Sequence, residues 1–159
     1  SLNSFYAPEF TRQLRELLHS PIAKGRPITL EFTERQTTEM SQDFIQMFNE
    51  IRAEGCNVAL DDFGVGYSTY SYLRQLRPEF VKIDGSFVLQ LKDNKEDVKI
   101  VEQIRELAHV VGAHTIAEHI EDEETIAMLV KMGVDYGQGY YFSKPVNVTD
   151  KHWLSADLA

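Results

Sequence analysis

The sequence predicts an α/β fold in which parallel strands alternate with helices. Two patterns indicate this class: short apolar runs rich in β-branched residues, and longer segments between them with apolar residues at helical spacing. A third observation excludes other classes, because 43% hydrophobic and 26% charged residues in a chain of 159 are typical of a globular protein. Since the connections run strand, helix, strand, we expect parallel pairing with right-handed crossovers.

The elements are predicted in chain order from these patterns. An amphipathic helix is predicted over residues 8–18, because Pro8 stands where the first turn of a helix tolerates proline. Five apolar runs then predict strands, of which the last is the weakest. The predicted strands are residues 28–32, 57–60, 80–83, 114–117 and 136–142.

Four helices are predicted between these strands from apolar residues three and four positions apart. Ser41 and Ser68 are N-cap candidates for the first two. The predicted ends are Gly55, Pro78, Gly112 and Gly133, residue types that stop helices. The four apolar faces are Phe44, Ile45, Phe48 and Ile51; Tyr72, Leu73 and Leu76; Val101, Ile104, Ala108 and Val111; and Ile126, Leu129 and Val130.

The number of strands leaves two architectures open. Five strands fit an open doubly wound sheet or part of a closed (β/α)8 barrel, and a complete barrel takes about 250 residues.

The net charge restricts the classes of binding partner. The 16 basic and 25 acidic residues give a charge of −9, which argues against a nucleic-acid polymer or an anionic membrane surface. The single Cys56 can form no internal disulfide, which fits a reducing cytoplasm.

Ionisable side chains interrupt or end four of the predicted strands. Glu31 lies in the first, the pair Asp61 and Asp62 ends the second, Lys82 lies in the third, and Glu118 ends the fourth. One such carboxylate is more often solvated or caps a helix. Because charge is costly inside a sheet and sites gather at the carboxyl ends of parallel strands, the four together predict a site.

The residue types at this predicted site indicate a metal. Carboxylates without a cysteine or histidine cluster suit Mg²⁺ or Mn²⁺, and two such ions about 3.5–4 Å apart can clamp a phosphoryl displacement. Asp61 and Asp62 can face one site only if the strand breaks at Asp62, and Gly64 and Gly66 permit that bend. Lys82 could orient a water molecule or stabilise developing negative charge.

Five segments carry a more specific pattern: residues 30–34 (LEFTE), 61–68 (DDFGVGYS), 81–88 (VKIDGSFV), 116–121 (IAEHIE) and 136–145 (YGQGYYFSKP). In this order they resemble the later motifs of the EAL domain. EAL domains are bacterial cyclic-di-GMP phosphodiesterases with a modified (β/α)8 barrel. The resemblance therefore implies a partial barrel of this type, with about five parallel strands and intervening helices.

The resemblance also implies roles for the matching residues. It implies that Lys82, Glu118 and Asp61 are catalytic and that Glu31, Asp61, Asp62 and Glu118 bind metal in a two-metal Mg²⁺ or Mn²⁺ site. It further implies cyclic-di-GMP as ligand, a homodimer and a regulatory domain upstream in the parent protein. Substrate binding or loop support is implied for Glu34, Gln138, Gly64, Gly66, Ser68 and Glu121.

Several family features are absent from the sequence. The Glu-Ala-Leu signature does not occur, and the asparagine of the next motif would lie just before Ser1. Residues 1–159 are thus expected to be an incomplete EAL domain, weak or inactive alone, with strand edges that pair with a partner chain or lower the stability. Inside the chain, Val65 replaces a usual threonine, Gly85 a common arginine, and His119 a usual glycine.

Three hypotheses for the function follow. The first is metal-dependent hydrolysis of cyclic-di-GMP to linear pGpG by the intact domain, in the bacterial cytoplasm, with the membrane anchoring of the parent left open. The alternative is a catalytically degenerate receptor or protein-interaction module. The third and weakest is a barrel enzyme that forms a Schiff base on Lys82.

Overall fold

The computed structural model describes residues 8–20, 26–33, 42–65 and 70–145, which form one parallel sheet with helices between its strands. The predicted strands at 80–83 and 114–117 and the predicted helix at 8–18 have the expected bounds. The elements are α1 (Pro8–Leu18), β1 (Ile28–Thr33), α2 (Gln42–Ala53), β2 (Cys56–Phe63), α3 (Tyr70–Leu76), β3 (Phe80–Ile83), α4 (Gly85–Val88), α5 (Lys95–Val111), β4 (His114–Ala117), α6 (Glu123–Met132) and β5 (Tyr136–Gly137).

The strands pair in the order in which they occur along the chain, β1-β2-β3-β4-β5, and every pair is parallel. The predicted α/β class is therefore confirmed. Parallel order brings the carboxyl ends of the strands to one edge of the sheet: Thr33 of β1 lies opposite Asp61 of β2, and Lys82 of β3 lies opposite Ile116 of β4. The ionisable residues of four strand regions consequently meet at that edge.

Local capping explains where the two best-defined helices begin and end. The Asn94 side chain accepts a hydrogen bond from the Glu96 amide at the start of α5, and α5 ends at Gly112, whose φ is 85°. Asp122 caps α6 in the same way, and α6 ends at Gly133 with φ 78°. The predicted glycine ends of both helices are confirmed.

The hydrophobic core lies between the sheet and these helices. Val101 and Ala108 of α5 are fully buried, and Ile104 is nearly so, as the helical spacing predicts. None of the helices in the described ranges is long and apolar enough to cross a membrane. The largest fully buried side chains are Phe32, Phe48, Leu60, Leu73, Leu76, Ile83, Leu91, Ile120, Val58, Val81 and Val88.

Two sequence predictions are wrong. The strand predicted over 136–142 ends at Gly137, because the chain then turns tightly against Ile120. A β-carbon on Gly139 would overlap the Ile120 backbone, and the Tyr141 amide donates to the Ile120 carbonyl at 3.0 Å. Val130 was assigned to a buried face but is 68% exposed, so the apolar stripe of α6 is narrower than its sequence indicates.

Candidate functional site

Lys82 lies at the centre of the carboxyl-end cluster. Its side chain is 5% exposed, and Nζ lies 2.9 Å from Glu31 Oε2, 2.8 Å from Asp61 Oδ1 and 2.7 Å from Glu118 Oε1. These carboxylates come from β1, β2 and the residue after β4. One ammonium group thus faces three carboxylates, which leaves the cluster with an excess of negative charge.

The strand register explains why Glu118 reaches Lys82. Lys82 pairs with Ile116 and Ile83 with Ala117, and the Glu118 amide then donates to the Ile83 carbonyl at 3.3 Å. The ladder therefore continues one residue beyond β4 and holds the backbone of Glu118 beside β3. Its side chain, 14% exposed, is thereby held within reach of the lysine.

A bend in β2 brings Asp61 and Asp62 to the same site. Asp62 has a φ of 55°, and the pairing with β3 is irregular between Leu60 and Phe63. A regular strand would point two adjacent side chains to opposite faces. With the bend, one ligand atom each from Asp61, Asp62 and Glu118 lie within 4.8 Å of one another.

The loop after this bend requires a residue without a side chain at position 64, which is Gly64. Its φ is 105°, which side chains rarely adopt, and a β-carbon there would lie 2.8 Å from Cδ1 of Ile104 and 2.9 Å from Cε2 of Phe87. Gly64 thus lets the chain leave β2 in contact with α4 and α5. Predicted residues Glu34, Gly66 and Ser68 lie outside the described residues.

Burial and the charges in the cluster shift the pKa values of Lys82 and Glu118. Burial lowers the pKa of Lys82, but its contacts with Asp61, Glu118 and Glu31 outweigh burial, so the pKa is raised and the ammonium form persists at neutral pH. Burial is the main cause that raises the pKa of Glu118, and the negative charges of Asp61 and Asp62 add to it. Lys82 opposes that increase without cancelling it.

The donor set fits a hard divalent cation. Asp61 Oδ1 is buried and accepts no hydrogen bond of acceptable geometry, although the lysine nitrogen lies 2.8 Å away. A buried oxygen of this kind is costly unless it is satisfied. The converging atoms of Asp61, Asp62 and Glu118 are all carboxylate oxygens, which suit Mg²⁺ or Mn²⁺. Glu31 contacts Lys82 instead of joining this group of three, and it is 49% exposed.

A cavity of about 270 Å³ opens beside Glu118. The predicted residues Gln138 and Glu121 line it, so the structure places both next to the carboxylate cluster. Sequence reasoning did not assign Tyr140 or His119 to the site, although both also line this cavity. For His119, the sequence did contain a signal, because a histidine stands where the family usually has glycine. For Tyr140, the sequence contained no such signal.

Comparisons with known proteins identify the family and agree with the fold. The family model of the EAL domain matches residues 1–145. Cyclic di-GMP phosphodiesterase PdeB of Shewanella oneidensis is 39% identical over 118 residues, which are 74% of this chain and 14% of that protein. The structure of EAL enzyme Bd1971 with cAMP and cyclic-di-GMP bound has a TM-score of 0.84 at 36% identity, covering 91% of this chain and 38% of that one.

A further solved structure resembles the chain and holds a metal. It is the manganese and cyclic-di-GMP complex of Klebsiella pneumoniae BlrP1, with a TM-score of 0.77 at 27% identity over 89% of this chain and 36% of that one. The chain spans 14%, 20% and 30% of the first three curated relatives that it matches.

Proposed function

The chain belongs to the EAL domain family, and from that premise we propose that the intact domain hydrolyses cyclic-di-GMP to linear pGpG in a reaction that needs Mg²⁺ or Mn²⁺. One observation carries the proposal. Lys82 and the carboxylates of Glu31, Asp61 and Glu118 converge at the carboxyl ends of parallel strands, where (β/α)8 enzymes have their sites. Relatives named cyclic di-GMP phosphodiesterases support the choice of substrate.

In this proposal Glu31, Asp61, Asp62 and Glu118 hold two divalent cations. The last three already converge, and Glu31 lies beside them, 2.9 Å from the Lys82 ammonium. A bound cation would supply Lewis-acid stabilisation of the charge that develops on the phosphoryl oxygens. The cation also offsets the excess of carboxylates, which would otherwise repel the phosphodiester. The choice between Mg²⁺ and Mn²⁺ rests with ion availability, since both take oxygen ligands.

Lys82 acts as a fixed cation that donates hydrogen bonds. In the site without a cation its raised pKa keeps it protonated, and as an ammonium group it can orient the attacking water and stabilise negative charge but cannot accept a proton. The same protonation disfavours a Schiff base, which needs the neutral amine. Gln138 and Glu121 line the adjoining cavity and would contact the substrate there.

The cellular location, the oligomeric state and the regulation of the domain are part of the same proposal. We expect activity in the bacterial cytoplasm, a homodimer, and control by a domain upstream in the parent protein. Residues 1–159 alone are expected to turn over weakly, because in the part of the chain that the structure describes only three carboxylates converge, few for a two-metal site.

A single-turnover assay tests the function directly. The purified chain in excess over cyclic-di-GMP, with Mn²⁺, should form pGpG slowly, and Asp61→Asn should lower the rate at least 100-fold, because a direct ligand matters more than the outer-shell groups worth about 10–100-fold. Asp135→Asn is the matched control, since Asp135 lies at the opposite ends of the strands. Conversion that continues unchanged in Asp61→Asn would refute the proposal. Metal-independent binding without any turnover would favour the receptor alternative.

A further inference from the structure

His119 holds a side chain where the backbone favours glycine. Its φ is 56°, in the left-handed region. The residues on either side are fixed by the sheet: the Glu118 amide donates to the Ile83 carbonyl at 3.3 Å, and the Ile120 amide donates to the Gln138 carbonyl at 3.1 Å. The reversal thus falls on His119 itself, and strained positions of this kind cluster at functional sites.

The imidazole of His119 covers Gly85, the first residue after the Asp84 cap of α4. A β-carbon on Gly85 would lie 2.6 Å from Cγ and 2.9 Å from Cβ of His119, too close for any side chain. Gly85 is buried accordingly. The ring is therefore held between the chain segments that follow β3 and β4, the strands that position Lys82 and Glu118.

The same ring lines the cavity of about 270 Å³ beside Glu118. The cavity lies just below the range of roughly 300–1,000 Å³ in which pockets bury a drug-sized ligand, so it suits one ring system of a larger ligand. A second ring, Tyr140, also lines it and is 62% exposed. Glu118 and Glu121 add two carboxylates to the wall, which disfavours a phosphate at this place.

We infer that His119 is a substrate-binding residue whose imidazole stacks on one nucleobase of the cyclic dinucleotide, an inference that rests on the proposed function. Stacking needs a flat aromatic face that is accessible and fixed in place. His119 is exposed on the cavity side and is fixed by its contact with Gly85. The carboxylate cluster then receives the phosphodiester while the cavity receives the base.

Two variants at this position test the inference without unfolding the chain. Glycine and asparagine both tolerate the left-handed backbone, so His119→Gly and His119→Asn should keep the wild-type Tm. Calorimetry with Mn²⁺ present, so that the carboxylate cluster does not repel the phosphate, should show Kd for cyclic-di-GMP and for GMP raised about tenfold in both variants, the loss expected for one stacked base. Kd for ribose 5-phosphate, which has no base, should stay at the wild-type value. His114→Asn, an exposed histidine at the other ends of the strands, is the matched control.

The outcomes separate this inference from the proposed function. An unchanged Kd for GMP in His119→Gly, with or without a lower Tm, assigns the ring a packing role and overturns the inference while the hydrolytic function stands. Equal weakening of GMP and ribose 5-phosphate would indicate a phosphate contact and also overturn it. A wild-type chain that binds no cyclic-di-GMP with Mn²⁺ present overturns the inference, while the hydrolytic function of the intact domain is tested separately by the single-turnover assay.

Discussion

The amino ends of β3 to β5 and the carboxyl ends of β1 to β4 both carry acidic side chains, but their surroundings differ. At the amino ends, Asp135 accepts hydrogen bonds from the amide and hydroxyl of Thr115 at 2.8 and 2.7 Å and from His109 at 2.8 Å. Glu79 there accepts one from Arg52 at 2.8 Å. These carboxylates are well supplied with donors.

At the carboxyl ends, one lysine faces three carboxylates, and Asp61 Oδ1 accepts no hydrogen bond of acceptable geometry. Asp62 and His119, two of the three non-glycine residues with positive φ in the described part of the chain, lie at this edge, and the third, Arg77, precedes β3. This difference is consistent with the proposed function, in which the amino ends stabilise the fold and the carboxyl ends bind a cation and a ligand, as is usual in (β/α)8 enzymes. The predictions below change residues at one end, compare the two ends, or change residues away from both.

Replacing Lys82 should have the largest effect on stability. Lys82→Met leaves three carboxylates facing one another without a cation, and loss of one partner of a buried ion pair costs about 3–5 kcal/mol. Urea unfolding in EDTA would measure the loss, and added Mn²⁺ should recover part of it. Lys92→Met, which removes an ion pair to Asp122 in which both side chains are more than one-third exposed, should change the free energy of unfolding little. Equal effects of the two variants would contradict the description of the cluster.

Replacing Asp135 tests the amino ends. Asp135→Ala leaves the amide and hydroxyl of fully buried Thr115 without their acceptor, which should cost about 2–3 kcal/mol in urea unfolding. Asp93→Ala, on an exposed turn, should cost less than about 0.5 kcal/mol. A loss of Mn²⁺ affinity in Asp135→Ala would show that the two ends are not separable.

The two ends should respond to pH with opposite signs. Burial raises the pKa of Asp135, but hydrogen bonds from His109 and Thr115 outweigh it and hold the pKa well below its usual range. Its stabilisation is therefore complete above about pH 4 and is lost as pH falls further. The pKa of Glu118 is raised, mainly by burial, so ionising it costs stability as pH rises above about 4.

Unfolding free energies from pH 3 to 7 in EDTA would show this contrast. Asp135→Asn should be less stable than wild type at pH 7, and the difference should begin to narrow as pH falls below about 4. Glu118→Gln should be more stable than wild type at pH 7, and that difference should also disappear at low pH. If both variants were more stable than wild type at pH 7, or both less stable, the opposite pKa shifts of Asp135 and Glu118 would be contradicted.

The smallest effect is expected away from both ends. Val130 is 68% exposed on α6, so Val130→Ser should change the free energy of unfolding by less than about 0.5 kcal/mol. Val101→Ser, at a fully buried position of α5, is its counterpart and should cost several times more. Similar losses in thermal melts would mean that α6 is packed as its sequence first indicated.

Sequence patterns predicted the secondary structure well where a single local signal determines where an element begins or ends. Short apolar runs defined β3 and β4, and glycines in the left-handed conformation ended α5 and α6. The patterns failed where tertiary contacts decide: the chain turns at Gly139 because the Ile120 backbone lies against it. The one-turn helix α4 is too short for helical periodicity to reveal.

In the candidate site, too, some residues could be predicted from the sequence and some contacts could not. Placement of charges within apolar runs was enough to select Glu31, Asp61, Asp62, Lys82 and Glu118, and the structure brings all of these to the carboxyl edge. The Asp135 network could not be predicted, because Thr115 and His109 are far from Asp135 in sequence. The register of β4 and β5 brings Thr115 to Asp135, and the packing of α5 brings His109 there. Nor does spacing reveal that the His119 ring covers Gly85.

Titration with Mn²⁺, followed by electron paramagnetic resonance of the free ion, tests the central claim most directly. Wild type and Asp135→Asn should bind Mn²⁺ with the same Kd, because Asp135 accepts its hydrogen bonds within the protein. Asp61→Asn should weaken binding at least tenfold, because it removes a direct ligand. Equal Mn²⁺ affinity in all three proteins would contradict the assignment of the carboxyl-end cluster as the metal site.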